Sequence, residues 1–282
     1  MIIWLASYPK SGNTWLRSLL STYYFSKNGK FEFNLLDNIK QFPNEVFFEN
    51  DKNFYSEPES TSRNWIKKQI EINQDKRIKL LKTHNALCKI NGNSFTDTIN
   101  TLGAIYIIRD PRKIISSISN HYQININEAY EFMNNNRKAL STKKNNQYPG
   151  FVPLFSWPTH LEGWINCKSF PVMIVRYEDL QFETFFTLKK VINFINKISK
   201  SKNSFNRDKA KNSIESCKFE RLKKMEQEQG FQESMIKNDN SGSINFFNLG
   251  QKNDYKKLLD ENLIKKLNKL YKNELEKFNY EI

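Results

Sequence analysis

The stretch Ser7-Tyr-Pro-Lys-Ser-Gly-Asn-Thr-Trp15 follows directly on the apolar run "IIWLA". A turn of this composition between a strand and a helix binds phosphate-like anions. Gly12 permits close backbone approach, and the N–H groups of Gly12, Asn13 and Thr14 point out of the new helix's N-terminus. Ser11, Asn13 and Thr14 add side-chain donors, Lys10 reaches a bridging or a terminal oxygen, and Trp15 stacks on a base or packs inward. The lysine precedes the glycine by two positions, so the GxxxxGK[ST] loop of ATPases and GTPases is absent.

Three further segments offer chemistry. Lys82-Thr83-His84 follows "IKLL", and an imidazole at a strand's end suits either acid–base work or a structural hydrogen bond. "IYIIRDPRKIISS" brings Arg109, a helix-starting Pro111 and Ser117. A guanidinium and a hydroxyl there would hold a second anion, unless Arg109 pairs with Asp110 or Glu178. In "RYEDL", Tyr177 can face a base, while Glu178 and Asp179 read as a cap and a buried anchor. His121 and His160 are weaker catalytic candidates, and no histidine has the companions of a metal site.

These segments need a scaffold that brings their ends together. Apolar runs at 2–6, 78–81, 102–108 and 172–175 read as parallel strands covered on both faces. Helical patterns lie between them: Trp15, Leu16, Leu19, Leu20 and Tyr23 mark one stripe, and 62–72, 114–122 and 187–198 read as others. Alternating strands and helices imply an α/β fold, a central parallel sheet flanked by helices, forming one domain over 1–282. Ligands of such sheets sit beyond the carboxyl ends of the strands. Residues 253–282 read as one closing basic amphipathic helix with Leu258, Leu259, Leu263, Leu267 and Leu270 on one side. Residues 134–149, 199–208 and 227–243 read as loops. The aromatic-rich segments 27–60 and 148–160 are expected to wall a pocket.

The chain's 282 residues are 38% hydrophobic and 14% aromatic, enough for a sizeable core. A net charge of +14 favours anionic partners, although Lys, Asn and Ile are abundant throughout, as compositional bias on a solvated surface also produces. No basic patch interleaved with stacking aromatics marks a nucleic-acid binder. Cys88, Cys167 and Cys217 show no metal spacing, and an odd, sparse set fits a reducing compartment. No signal peptide and no membrane-spanning run is read, so a cytoplasmic location is expected.

Taken together and in this order, "YPKSGNTW", "KTH" and "RDPRKIISS" resemble the 5′-phosphosulfate loop, the catalytic-base segment and the 3′-phosphate segment of cytosolic-type sulfotransferases that use 3′-phosphoadenylyl sulfate (PAPS). "RYEDL" matches a further family segment, and the likeness runs from Met1 to about Tyr255. The resemblance implies a P-loop-like nucleotide site and sulfuryl transfer to a hydroxyl or amine without a metal. Lys10 would stabilise the bridging oxygen, Ser11, Gly12, Asn13 and Thr14 would hold the 5′-phosphate, and Trp15, Tyr177 and Phe219 would enclose the adenine. Arg109 and Ser117 would hold the 3′-phosphate, with Lys82 and His84 facing the acceptor and His84 as base. Two departures stand out. The family's late Arg-Lys-Gly is here Asn248-Leu249-Gly250, leaving Lys252 or Lys256 as substitutes, and Tyr255 stands where the family commonly has Trp. The dimerisation segment of animal members is not recognisable, so the oligomeric state is left open. The acceptor is left as a small molecule, a glycan or a lipid-like alcohol. A kinase with a variant P-loop is the alternative enzyme.

Overall fold

The fold is taken from a computed structural model that describes residues 1–48, 57–141 and 150–282. The parts of the expected pocket wall and polar loop at 49–56 and 142–149 lie outside the described residues. Strand β1 (Ile2–Ser7) is buried along its length. Ile2, Trp4 and Ala6 face one core cluster, and Ile3 and Leu5 face the other. A strand apolar at every position can only sit between two covering layers. Strands β2 (Lys79–Thr83), β3 (Thr101–Ile108) and β4 (Val172–Arg176) complete a parallel sheet in the order β2-β1-β3-β4. Ala6 aligns with Thr83 on one side, and Ser7 with Ile107 on the other. The strand order therefore reverses between β1 and β3, which opens a crevice at their carboxyl ends.

One face of the sheet carries α1 (Asn13–Phe25), whose Leu16, Leu19, Leu20 and Tyr23 are buried as the stripe predicts. The opposite face carries α2 (Trp65–Asn73), α3 (Pro111–Tyr122), α4 (Ile126–Asn134) and α5 (Trp157–Ile165). After β4 come α6 (Tyr177–Phe182), α7 (Thr184–Ser199), α8 (Arg207–Ser216) and α9 (Phe219–Gln229), and α7, α8 and α9 join the face of α1. The expected helix at 62–72 starts later, because Pro58–Asn64 is a 3₁₀ turn. Residues 227–243, expected as a loop, hold the end of α9 and a short strand, Met235–Ile236, paired with Ser243–Ile244.

The single closing helix expected over 253–282 is instead three: α10 (Tyr255–Leu258), α11 (Glu261–Leu270) and α12 (Lys272–Lys277). Asp254 and Asp260 each accept a hydrogen bond from a first-turn N–H, so each starts a helix rather than lying within one. The buried stripe shrinks accordingly: Leu259, Leu263 and Leu267 enter the core, whereas Leu258 and Leu270 are 41% and 49% exposed. No described helix is long and apolar enough to cross a membrane.

The start of α3 is fixed by a buried fork. Asp110 accepts from Arg112 Nε at 2.9 Å and Nη2 at 2.8 Å, and caps the helix through the Arg112 N–H. Arg112 stacks over the Tyr255 ring at 4.2 Å, which gives the tyrosine a packing role. Glu178 accepts from the Asp110 N–H at 3.2 Å and from the Tyr280 hydroxyl at 3.1 Å, so Glu178 and not the exposed Asp179 is the buried anchor. Asp110→Ala would leave the Arg112 charge buried without its counter-ion. It is expected to lower stability by about 3–5 kcal/mol, read as a fall in urea midpoint at unchanged slope.

Candidate functional site

The β1 turn is held by its own strand. Asn13 Nδ2 donates to the Leu5 carbonyl at 2.8 Å and to Ser7 Oγ at 3.2 Å, so this side chain anchors the turn instead of facing a ligand. That corrects its expected role as a side-chain donor. Lys10 and Gly12 take positive φ, 65° and 97°. At Gly12 a Cβ would lie 2.3 Å from the Tyr177 ring, so only glycine fits. The helix begins at Asn13, so the N–H groups of Asn13 and Thr14 have no helix carbonyl to reach and face outward. Ser11 Oγ is buried with no partner.

Beside this turn lies a cavity of about 1010 Å³. Lys10, Gly12, Asn13, Thr14 and Trp15 line it from the first turn, Lys82 and His84 from the end of β2, Arg109 and Ser117 from the end of β3, and Tyr177, Phe219 and Gly250 from later segments. The structure thus brings these residues, with His121, to one cavity, but not Ser11, His160, Lys252 or Lys256. Trp15 meets Tyr177 edge-on at 5.7 Å. Gly250 (φ +55°) lies so close under the Phe219 ring that a Cβ there would reach 2.5 Å.

Arg109 makes no ion pair among the described residues. Nη1 donates to the Lys10 carbonyl at 3.0 Å and approaches Ser117 Oγ at 3.5 Å, the guanidinium lies 4.3 Å over the Tyr177 ring, and Nε is buried without a partner. Asp110, its imagined counter-ion, is taken by Arg112. Asn253 donates to Ser117 Oγ at 3.0 Å. Neither expected substitute cation reaches the cavity: Lys252 is exposed, and Lys256 pairs with Glu281 at 2.7 Å. Lys218 and Arg221, flanking Phe219, line it instead.

His84 is oriented through its backbone neighbours. Its Nδ1 lies 2.9 Å from the Ser7 carbonyl, which can only accept, so Nδ1 carries the proton and Nε2 is left unprotonated. His160 stands one layer deeper. Its Nε2 donates to the His84 carbonyl at 3.0 Å, and its Nδ1 accepts from the Tyr106 hydroxyl at 2.9 Å. Burial, reinforced by Lys82, pushes the His84 imidazole down to about 3. Burial likewise lowers Lys10, to about 7.

Among the described residues, the aromatic segments expected to wall the pocket do not. Of 27–60 and 148–160, Gln41 alone among the described residues lines the cavity. Phe42, Phe48, Leu154 and Trp157 are buried in the core, and Gln41 bridges Lys82 in parallel, extending the sheet edge. The apolar wall comes from Tyr122, Leu140, Met235, Phe246 and Phe247. Sequence reasoning also missed Arg17 and Glu233. Glu233 accepts from Arg17 Nη1 at 2.5 Å, Thr14 Oγ1 at 2.8 Å and Lys82 Nζ at 2.9 Å. Arg17 was detectable as a charge one helical turn after Thr14, but Glu233 arrives from 219 residues beyond Thr14 and had no local signal.

The sequence model described as "Sulfotransferase domain" matches residues 2–279. Sulfotransferase 2A6 of Rattus norvegicus is 27% identical over 99 residues, and sulfotransferase 2A1 of Mus musculus 30% over 100 residues. Each match covers 33% of this chain and 31% of the relative, so the aligned part spans about a third of those proteins. Among solved structures, retinol dehydratase in complex with androsterone and inactive cofactor PAP shares the fold at 15% identity and a TM-score of 0.59, covering 97% of this chain and 80% of that one. Mouse sulfotransferase SULT7A1 complexed with PAP does so at 17% identity and a TM-score of 0.57, covering 97% and 84%.

Burial lowers all three histidines from 6.5, His84 and His121 to about 3 and His160 to about 4. The unfolded chain therefore binds protons that the folded one refuses. Their contribution to stability is complete above pH 6.5 and lost as pH falls through 4 toward 3. The urea midpoint is expected to decline steadily across that window, and the His84 ring resonances to stay unshifted above about pH 5.

Proposed function

Because the chain belongs to the sulfotransferase domain family, we propose that it transfers a sulfuryl group from PAPS to an acceptor hydroxyl, releasing adenosine 3′,5′-bisphosphate (PAP). The observation that carries this reading is the meeting of Lys10, Lys82, His84 and Arg109 at one cavity beside the β1 turn. The outward N–H groups of that turn and the buried, unpartnered Ser11 hydroxyl suit the donor's 5′-phosphate. Arg109, free of any carboxylate among the described residues, suits the 3′-phosphate, with Ser117 beside it. Trp15, Tyr177 and Phe219 form aromatic walls for the base.

In the proposed reaction the acceptor O–H loses its proton to His84 Nε2 as its oxygen bonds to sulfur. The bond from sulfur to the bridging oxygen breaks, and Lys10 stabilises the negative charge left on the 5′-phosphate oxygen. A neutral His84 with a free Nε2 is in the state a base requires. Lys10, brought near neutrality by burial, regains its proton when an anion binds beside it. Retinol dehydratase was solved with androsterone and with retinol. An acceptor with an apolar body suits the wall of Tyr122, Leu140, Met235 and Phe246 found here.

PAP is expected to raise the melting temperature well beyond equal concentrations of AMP or ATP, and equal shifts would remove PAPS as the donor. His84→Ala is expected to cut turnover by about 10²–10⁴-fold with PAP affinity retained; turnover at the parental rate would remove His84 from the base role. Lys10→Ala should lower turnover far more than PAP affinity, and a matched loss of both would contradict its part in the transition state.

A further inference from the structure

Glu233 is the feature that the proposed reaction leaves unused. Its carboxylate lies against three donors from two distant parts of the chain: Thr14 Oγ1 at 2.8 Å, Arg17 Nη1 at 2.5 Å, and Lys82 Nζ at 2.9 Å from both oxygens. Arg17 and Lys82 are almost wholly buried. Burial alone would raise the Glu233 carboxyl, but Lys82 and Arg17 outweigh it and hold the group well below the usual carboxylate range. Two buried cations with no anion between them would be strongly destabilising, so the place needs a negative group at all times.

The occupant is carried by a strap, residues 230–247. Its base is fastened by Glu226, which accepts from Ser234 Oγ, Phe246 N and Phe247 N, and its tip by Gln123, which donates to the Ile236 carbonyl. The same strap lays the Phe246 ring 3.8 Å from Lys10 Nζ. Glu233 and Phe246 thus cover two neighbouring cations of the site together. Thr14 is the decisive residue, because its hydroxyl cannot hold Glu233 and an incoming phosphate at once with its single proton.

We infer that Thr14, Arg17 and Lys82 form an oxyanion subsite whose ligand is the tetrahedral anionic end of the donor, and that Glu233 is its tethered occupant in the unliganded protein. The inference rests on the donor reading above. Arg17 thereby joins the donor-binding residues, and donor entry exchanges one anion for another while lifting the strap from Lys10.

The test is calorimetric titration of the full chain with inorganic sulfate and, separately, with PAP. E233Q keeps the shape of the side chain and removes its charge. It is expected to bind sulfate about tenfold more tightly, the gain from freeing a site closed in about nine molecules of ten. R17Q placed on E233Q should abolish that gain. Sulfate affinity unchanged or weakened in a folded E233Q would overturn the inference. Should E233Q fail to fold, hydrogen exchange of the parent protein decides: sulfate is expected to speed exchange of the Phe246 and Phe247 amides, and no change or slowing would overturn it. The donor reading fails separately, if PAP binds neither form while the sulfate gain persists.

Discussion

The side-chain amide of Asn13 ties the turn after β1 back to the strand that it leaves, through the Leu5 carbonyl and Ser7 Oγ. An anion held by backbone N–H groups needs those groups fixed in space before it arrives, since ordering them on binding would consume much of the affinity. The tie makes a two-residue excursion into left-handed backbone, at Lys10 and Gly12, tolerable and rigid. It also turns Lys10 and its carbonyl toward the third strand, where Arg109 donates to that carbonyl. The β1 turn and the end of β3 are thus covalently distant but mechanically one unit.

The same economy governs the proton chemistry. Ser7, the last residue of β1, accepts from His84 through its carbonyl, so the strand that starts the phosphate turn also sets the tautomer of the imidazole. His160 and Tyr106 hold the peptide of His84 from beneath. Imidazole orientation here depends on backbone carbonyls rather than on a carboxylate, which would have raised its basicity. The site sets the buried cations Arg17 and Lys82 against a carboxylate brought in from the strap, with the neutral imidazole of His84 beside them.

Much of the sheet was legible because its strands are apolar at consecutive positions, a pattern that only a doubly covered strand produces. The runs at 2–6, 102–108 and 172–175 correspond to β1, β3 and β4 with ends shifted by a residue. The site segments were legible because they sit immediately after those runs. What was illegible is long-range. The aromatic residues of 27–60 look like pocket walls by type, yet Phe42 packs on Trp4, and Phe48 on Phe42, beneath the sheet edge. Burial in a core and burial in a binding wall select the same side chains, so composition cannot separate them. The tail misled for a local reason: the leucine spacing is helical, but Asp254 and Asp260 restart the helix, and a capping oxygen outweighs a hydrophobic period.

Tyr280 stands almost at the far end of the chain from the phosphate turn, yet its hydroxyl holds Glu178, which in turn holds the Asp110 N–H beside Arg109. It also belongs to the same core cluster as Ile2 and Trp4. During synthesis β1 and α1 emerge together, whereas the link from Tyr280 through Glu178 to Asp110 closes only once residue 280 has been made.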